Sequence, residues 1–218
     1  MTKCTFLDSD TLGNDINLDS LAQSCELECF THTSHDPNQI ATRLQQSIVA
    51  ISNKVPISAQ VLARCPNLKL ILVAATGVDH IDLQACQSNG VIVCNARNYG
   101  TQSVAQHVFA LLLALTNQVY PYQQLVYDGQ WSKGTNFCLL NYPIRELTGM
   151  TLGLVGYGTL AQAVERLALA FGMECIVSES SQLGIKRSTR ARVPFSELVQ
   201  TADVISLHCP LTPANHNL

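Results

Sequence analysis

Short apolar runs alternate along the first hundred positions with stretches in which apolar residues recur every three or four places. The runs Cys4–Leu7, Leu27–Phe30, Ser47–Ile51, Leu68–Ala75 and Val91–Cys94 read as strands. Between them Leu18–Ala22, Gln39–Gln46, Ser58–Cys65 and Leu83–Ser88 read as helices, with Ser58 as the cap of the third and Asn89-Gly90 ending the fourth. Strands that are apolar throughout and separated by helices predict a parallel sheet covered on both faces. Thr101 to Thr116 then reads as one long helix. Its run Leu111–Leu115, flanked by His107 and Asn117, is too short to cross a membrane and reads as buried.

The rhythm breaks over 120–146, where Tyr120, Tyr122, Tyr127, Trp131, Phe137 and Tyr142 stand among turn residues. A segment of that kind seldom packs alone, and its aromatics suit a partner surface. After Met150 the alternation resumes. Thr151–Val155 reads as a strand, Leu160–Phe171 as a helix ended by Gly172, and Cys175–Val177 and Asp203–His208 as two further strands.

The first of those later strands runs into Gly156-Tyr157-Gly158-Thr159-Leu160-Ala161, with the spacing G-x-G-x-x-A. Gly156 permits a tight turn, Gly158 lets a pyrophosphate approach the backbone, and Ala161 lets the helix lie close to the strand. The helix N-terminus offers N–H groups and the positive end of its dipole to phosphates. Glu179 lies 21 positions after Gly158, near the spacing of about twenty expected for an acid on the adenosine ribose. Strand, turn, helix, strand and acid in this order favour a dinucleotide over an ordinary surface turn. The loop of a methyltransferase binding a nucleoside cofactor looks similar, and the turn alone leaves that rival open.

Composition narrows the partners. Apolar residues make up 47% of the 218 and charged residues 13%, a globular pattern with no sign of disorder. The net charge of −3 implies neither nucleic acid nor an anionic membrane surface. The most basic stretch, Lys186, Arg187, Arg190 and Arg192, reads as a solvated loop. Nine cysteines are scattered without zinc-ligand spacing, and several, such as Cys94 and Cys175, sit in apolar runs as small core residues. With no signal-peptide pattern at the start, a reducing cytoplasm is the expected compartment.

Four stretches together resemble one known family, the D-isomer-specific 2-hydroxyacid dehydrogenases. They are Val73–Asp82, Tyr99–His107, the glycine turn Leu154–Ala161, and Ser206–Thr212. Within the family the glycerate and hydroxypyruvate branch is most alike, through Ile51–Lys54, Val73–Gly77 and Phe137–Leu147. The resemblance implies an α/β protein of two domains. Residues 1–100 would form a flavodoxin-like substrate domain. Residues 101–218 would hold the interdomain helix, a dimerisation arm and the first part of a Rossmann NAD-binding domain. It implies hydride transfer between nicotinamide C4 and C2 of a D-2-hydroxy acid. The substrate carboxylate would lie on the N–H groups of Thr76 and Gly77, with Asn53 and Lys54 nearby, while Asp79 and His80 would be peripheral. The coenzyme would meet Thr101, Gly156, Gly158, Thr159, Leu160, Glu179, Pro210 and Thr212, and the acid at Glu179 implies NAD rather than NADP. The arm over 120–146 implies a homodimer.

The same resemblance sets a limit. The family's catalytic arginine, glutamate and histidine follow the Cys209-Pro210-Leu211-Thr212 stretch, and His216 does not match any of them. Arg97 and His107 precede the coenzyme domain and do not match either. The catalytic residues are therefore expected beyond Leu218. The expectation is a chain ending inside its second domain and inactive alone. A non-catalytic NAD-binding regulatory or scaffold protein on the same fold is the alternative.

Overall fold

A computed structural model describes the chain except for residues 14, 180–190, 213, 214 and 218. Lys186, Arg187 and Arg190 of the basic stretch lie outside the described residues. So does Leu218, the position beyond which the catalytic groups are expected. The chain divides into two compact units, 1–98 and 99–218.

In the first unit the strands are β1 (Lys3–Phe6), β2 (Glu26–Cys29), β3 (Val49–Ser52), β4 (Leu70–Val73) and β5 (Ile92–Asn95). The helices between them are α1 (Asp19–Ser24), α2 (Pro37–Leu44), α3 (Ala59–Leu62) and α4 (Leu83–Ser88). All pairings are parallel, in the order β2-β1-β3-β4-β5. Alternation along each strand splits the core into two layers. Ala50, Ile71 and Val73 pack with Ile40, Leu44 and Val61 of α2 and α3. Cys4, Phe6 and Ile51 face the other way, with Leu18 and Leu21 at α1. The expected parallel sheet with two covered faces is thus present.

Three local expectations need correction. Ser58 stands at the N-cap of α3 but its side chain makes no capping bond, whereas Asp36 and Asp82 do cap α2 and α4. Ser58 starts the helix through its backbone instead, its carbonyl accepting the first helical bond from the Leu62 N–H at 3.0 Å. Cys94 is exposed rather than a core residue, because β5 is the last strand of its sheet. Cys175 is only half-buried, and its strand also forms a sheet edge.

The second unit opens with α5 (Thr101–Thr116), α6 (Val119–Tyr127) and α7 (Gln130–Lys133). The aromatic segment is therefore helical in its first half, and Tyr122 fastens the rest. Its hydroxyl donates to the Tyr142 carbonyl at 2.8 Å, and the two rings meet edge to face. The run Leu111–Leu115 is not buried throughout. Leu112 is buried, but Leu111 and Leu115 are 54% and 72% exposed in this chain, since a helix packed on one side leaves its other face outward.

The strands β6 (Thr151–Val155), β7 (Glu174–Val177) and β8 (Val204–Leu207) follow, with α8 (Thr159–Ala170) and α9 (Phe195–Thr201) between them. They pair in parallel in the order β7-β6-β8. Leu152 and Leu154 pack with Phe109 of α5 and with Val164 and Ala168 of α8. On the opposite face, a Cβ on Gly153 would come within 2.7 Å of Leu198 in α9. Helices cover this sheet on both faces too.

Candidate functional site

Open parallel sheets bind ligands beyond the carboxyl ends of their strands, where the strand order reverses. In the first unit that point lies between β1 and β3. Asp8 follows β1, Asn53 and Lys54 follow β3, and Thr76 and Gly77 lie beyond β4, so this edge collects all four substrate residues expected from the sequence.

Asp8, which sequence reasoning missed, organises that edge. The residue is 2% exposed. Oδ1 accepts from the Asn53 N–H at 2.9 Å, and Oδ2 accepts from Lys54 N–H at 2.6 Å and Val55 N–H at 3.3 Å. Ser52 Oγ closes the same loop by donating to the Val55 carbonyl at 2.7 Å. The backbone donors at the end of β3 are therefore engaged by the chain's own anion. The Lys54 side chain is exposed and that of Asn53 half-buried.

Across the crevice Thr76 is pinned twice. Its hydroxyl donates to the Ala96 carbonyl at 3.0 Å, and its carbonyl accepts from Asn95 Nδ2 at 2.7 Å. Gly77 is exposed. Burial pushes His80 below the ordinary histidine range, against the pull of Asp79, and Lys54 adds to the lowering. Its Nε2 is buried and meets no hydrogen-bond partner among the described residues.

In the second unit the strand order reverses at β6, and the residues beyond β6, β7 and β8 share one edge. Gly156 has φ +89°, and a Cβ there would lie 2.7 Å from the Cys209 nitrogen and 2.8 Å from the His208 carbonyl carbon. The end of β8 therefore lies directly against the turn, and only glycine fits. Gly158 is the N-cap of α8, and a Cβ there would meet nothing within 4 Å. Open space at that position is what a closely approaching ligand requires. Thr159 and Leu160 begin α8, where first-turn N–H groups lack acceptors within the helix and the dipole is positive. Ala161 is fully buried.

Beyond β7 the exposed Glu179 is set in place by its backbone, which donates to the Val193 carbonyl at 2.8 Å. Arg192 fixes the preceding residue by donating to the Ser178 carbonyl at 2.9 Å. Beyond β8 Pro210 is exposed, and its carbonyl accepts from Asn215 Nδ2 at 2.7 Å. The Thr212 N–H donates to Asn215 Oδ1 at 2.6 Å. Asn215 thus shapes this stretch, which nothing in its sequence context signalled. His208 also titrates below the ordinary range through burial, and its Nε2 pairs with Ser206 Oγ at 2.9 Å. Gly156, Gly158, Thr159, Leu160, Glu179, Pro210 and Thr212 are gathered at one sheet edge. Thr101 is buried at the start of α5, the helix that packs on α8.

The groups on these edges suit anion and nucleotide binding. Among the described residues no three His, Cys, Asp or Glu side chains form a metal site, and no helix is long and apolar enough to cross a membrane.

Comparisons with known proteins identify the domain that carries the second edge. Residues 109–218 match the NAD-binding domain of the D-isomer specific 2-hydroxyacid dehydrogenases. The chain is 37% identical over 217 residues to a glycerate dehydrogenase of Methylorubrum extorquens, covering 99% of this chain and 66% of that one. It is 32% identical over 219 residues to a hydroxypyruvate reductase of Blautia hydrogenotrophica, covering 99% and 68%. The chain thus spans about two thirds of the length of these relatives. An acyclic imino acid reductase solved with NADPH and D-Arg superposes with TM-score 0.83 at 26% identity, over 97% of this chain and 66% of that one. A D-lactate dehydrogenase of Aquifex aeolicus solved with NAD and lactic acid gives TM-score 0.76 at 25% identity, over 97% and 61%. A glycine turn pressed against β8, an acid beyond β7 and a matching coenzyme domain lead to one assignment: the chain belongs to the D-isomer specific 2-hydroxyacid dehydrogenase family.

Proposed function

We propose that this protein is an NAD-dependent oxidoreductase passing a hydride between nicotinamide C4 and C2 of a D-2-hydroxy acid, with glycerate and hydroxypyruvate as the substrate pair. The observation that carries the reading is the open cradle at Gly158, at the N-terminus of α8 and on the same sheet edge as Glu179. The relatives named glycerate dehydrogenase and hydroxypyruvate reductase support the choice of substrate. Gly156, Gly158, Thr159 and Leu160 would seat the pyrophosphate. Glu179 would hold the adenosine ribose and repel a 2′-phosphate, which favours NAD over NADP. Pro210, Thr212 and Thr101 would line the rest of the coenzyme site.

The substrate carboxylate would be drawn by the Lys54 ammonium and seated on the Thr76-Gly77 backbone, with Asn53 beside it. The N–H groups of 53–55 already serve Asp8, so their part would be to present side chains. A homodimer through 120–146 would cover Tyr120, Tyr127, Phe137 and Leu140, which are 75%, 76%, 90% and 85% exposed in the single chain. The buried Cys4, Cys65 and Cys86, none of them in a disulfide, suit a reducing cytoplasm.

The family resemblance puts the catalytic arginine, glutamate and histidine after the 209–212 stretch and beyond Leu218. The 218-residue polypeptide alone is accordingly expected to bind NADH without turnover. The test is a fluorescence titration with NADH and with S-adenosylmethionine, followed by an absorbance assay with NADH and hydroxypyruvate. Binding of NADH alone supports the reading, and failure to bind it overturns the reading. Oxidation of NADH above background by this polypeptide would show instead that catalysis needs nothing beyond these residues.

A further inference from the structure

The residue between the two glycines of the coenzyme turn is not a bystander. Tyr157 is half-buried and packs against the core formed by α5, β6 and α8. Its hydroxyl donates to Oε2 of Glu165. Glu165 lies two turns into α8, is 7% exposed, and shares a stripe with the buried Ala161 and Ala168. An apolar residue would serve packing at that place. A buried carboxylate is unfavourable unless strongly hydrogen-bonded, and a phenol O–H donating to a carboxylate is among the strong bonds. The tyrosine at 157 supplies such a bond to the acid at 165.

The turn itself has a weakness that this bond corrects. Gly156 and Gly158 give it the conformational freedom of two residues without Cβ atoms. Gly156 is fixed from one side by the backbone of His208 and Cys209. On the side where Gly158 would carry a Cβ there is nothing within 4 Å. The only side chain between them that can anchor the turn to its own helix is Tyr157.

We propose that Tyr157 and Glu165 are positioning residues, which hold the turn at a fixed height over the α8 N-terminus so that the coenzyme pyrophosphate finds its donors already in place. The inference deepens the proposed coenzyme site and rests on it. A seat ordered before binding leaves less freedom to lose when the ligand arrives, and this raises affinity without any new contact.

The test measures NADH and ADP-ribose affinity together with the thermal midpoint for the wild-type chain, Tyr157→Phe, and Tyr157→Phe combined with Glu165→Leu. Tyr157→Phe removes the phenol donor from the buried Glu165, so it lowers both affinity and midpoint. The double variant replaces the pair with two apolar side chains, which restores the midpoint. Positioning predicts that both ligands still bind about tenfold more weakly to the double variant. Affinity that returns to wild type along with the midpoint would mean the pair only stabilises the fold, and the proposal fails. Wild-type affinity in Tyr157→Phe overturns it as well. Absence of NADH binding in the wild-type chain is a different result: it removes the coenzyme site, and the pair's role falls with it.

Discussion

The two units build the same kind of edge and use it in opposite ways. Each has a parallel sheet with helices on both faces and a strand-order reversal, between β1 and β3 in one and at β6 in the other. In the first unit the N–H groups of Asn53, Lys54 and Val55 converge on the buried Asp8 carboxylate. In the second the N–H groups at the start of α8 open onto the space above Gly158. A row of backbone donors at a strand end is a structural clamp when the preceding strand supplies an anion. It stays open to a ligand when a glycine leaves the place empty. The fold class alone does not decide between these. One residue at the switch point does.

The strongest way to break the comparison is to fill the turn that must remain bare. Gly156→Ala meets two obstacles, a positive φ and backbone atoms of His208 and Cys209, just past β8, within 2.8 Å, which have no flexible side-chain end to yield. A loss of about 3 kcal/mol or more in the stability of the second unit is expected, together with loss of NADH binding. Urea denaturation followed by Trp131 fluorescence measures the first, and coenzyme titration the second. A wild-type midpoint would refute the close packing of β8 on the turn.

Next in size is the removal of the internal anion. Asp8→Ala leaves donors at the end of β3 without an acceptor, each costing about 1–3 kcal/mol where it is buried. A destabilisation of about 3 kcal/mol is expected in the first unit, and a smaller one for Asp8→Asn, which keeps one acceptor oxygen. The substitution should also turn the clamp into a seat, so added formate should restore part of the lost stability in Asp8→Ala and none in the wild type. If formate acts equally on both, the donors do not converge as described.

Gly158→Ala tests the open half of the comparison and should separate two quantities that Gly156→Ala changes together. An added methyl meets no atom of the protein, so stability should stay within about 0.5 kcal/mol of wild type. The same methyl would occupy the space needed by a pyrophosphate, and NADH should bind about tenfold more weakly. Unchanged binding would place the phosphates elsewhere.

How much of this was legible in the sequence follows from how local each cause is. The bounds of α5 at Thr101 and Thr116 were readable because an apolar rhythm over that length has few competing explanations. The glycine turn was readable because strand, turn, helix and acid lie close together in the chain. Asp8 was not, because a single aspartate after a strand has no signature. It becomes a clamp only once β1 and β3 are neighbours, and 45 positions separate it from Asn53. The exposure of Cys94 was hidden for a related reason, since an apolar run does not say whether its strand ends a sheet. The outward face of α5 at Leu111 and Leu115 was masked by the uniform apolarity of the run. The helices within 119–133 were obscured by aromatic residues that carry little helix preference of their own.

The smallest effect compares the two units through their half-buried histidines. Burial pushes His80 in the first unit and His208 in the second below the ordinary value of 6.5. As pH falls through 6.5 the unfolded chain takes up protons on these rings while the folded chain does not. Unfolding is then favoured by proton binding, so stability declines below pH 6.5 and levels off once the folded rings also charge. Above 6.5 the rings are neutral in both states and contribute no slope. Denaturation midpoints measured between pH 7.5 and 5 should therefore fall with acidification in the wild type. His80→Gln should flatten the profile of the first unit alone, and His208→Gln that of the second. A wild-type profile that is flat from pH 6.5 downward would show that neither ring is held neutral by its surroundings. A single variant that flattens both profiles would show that the two units do not unfold independently.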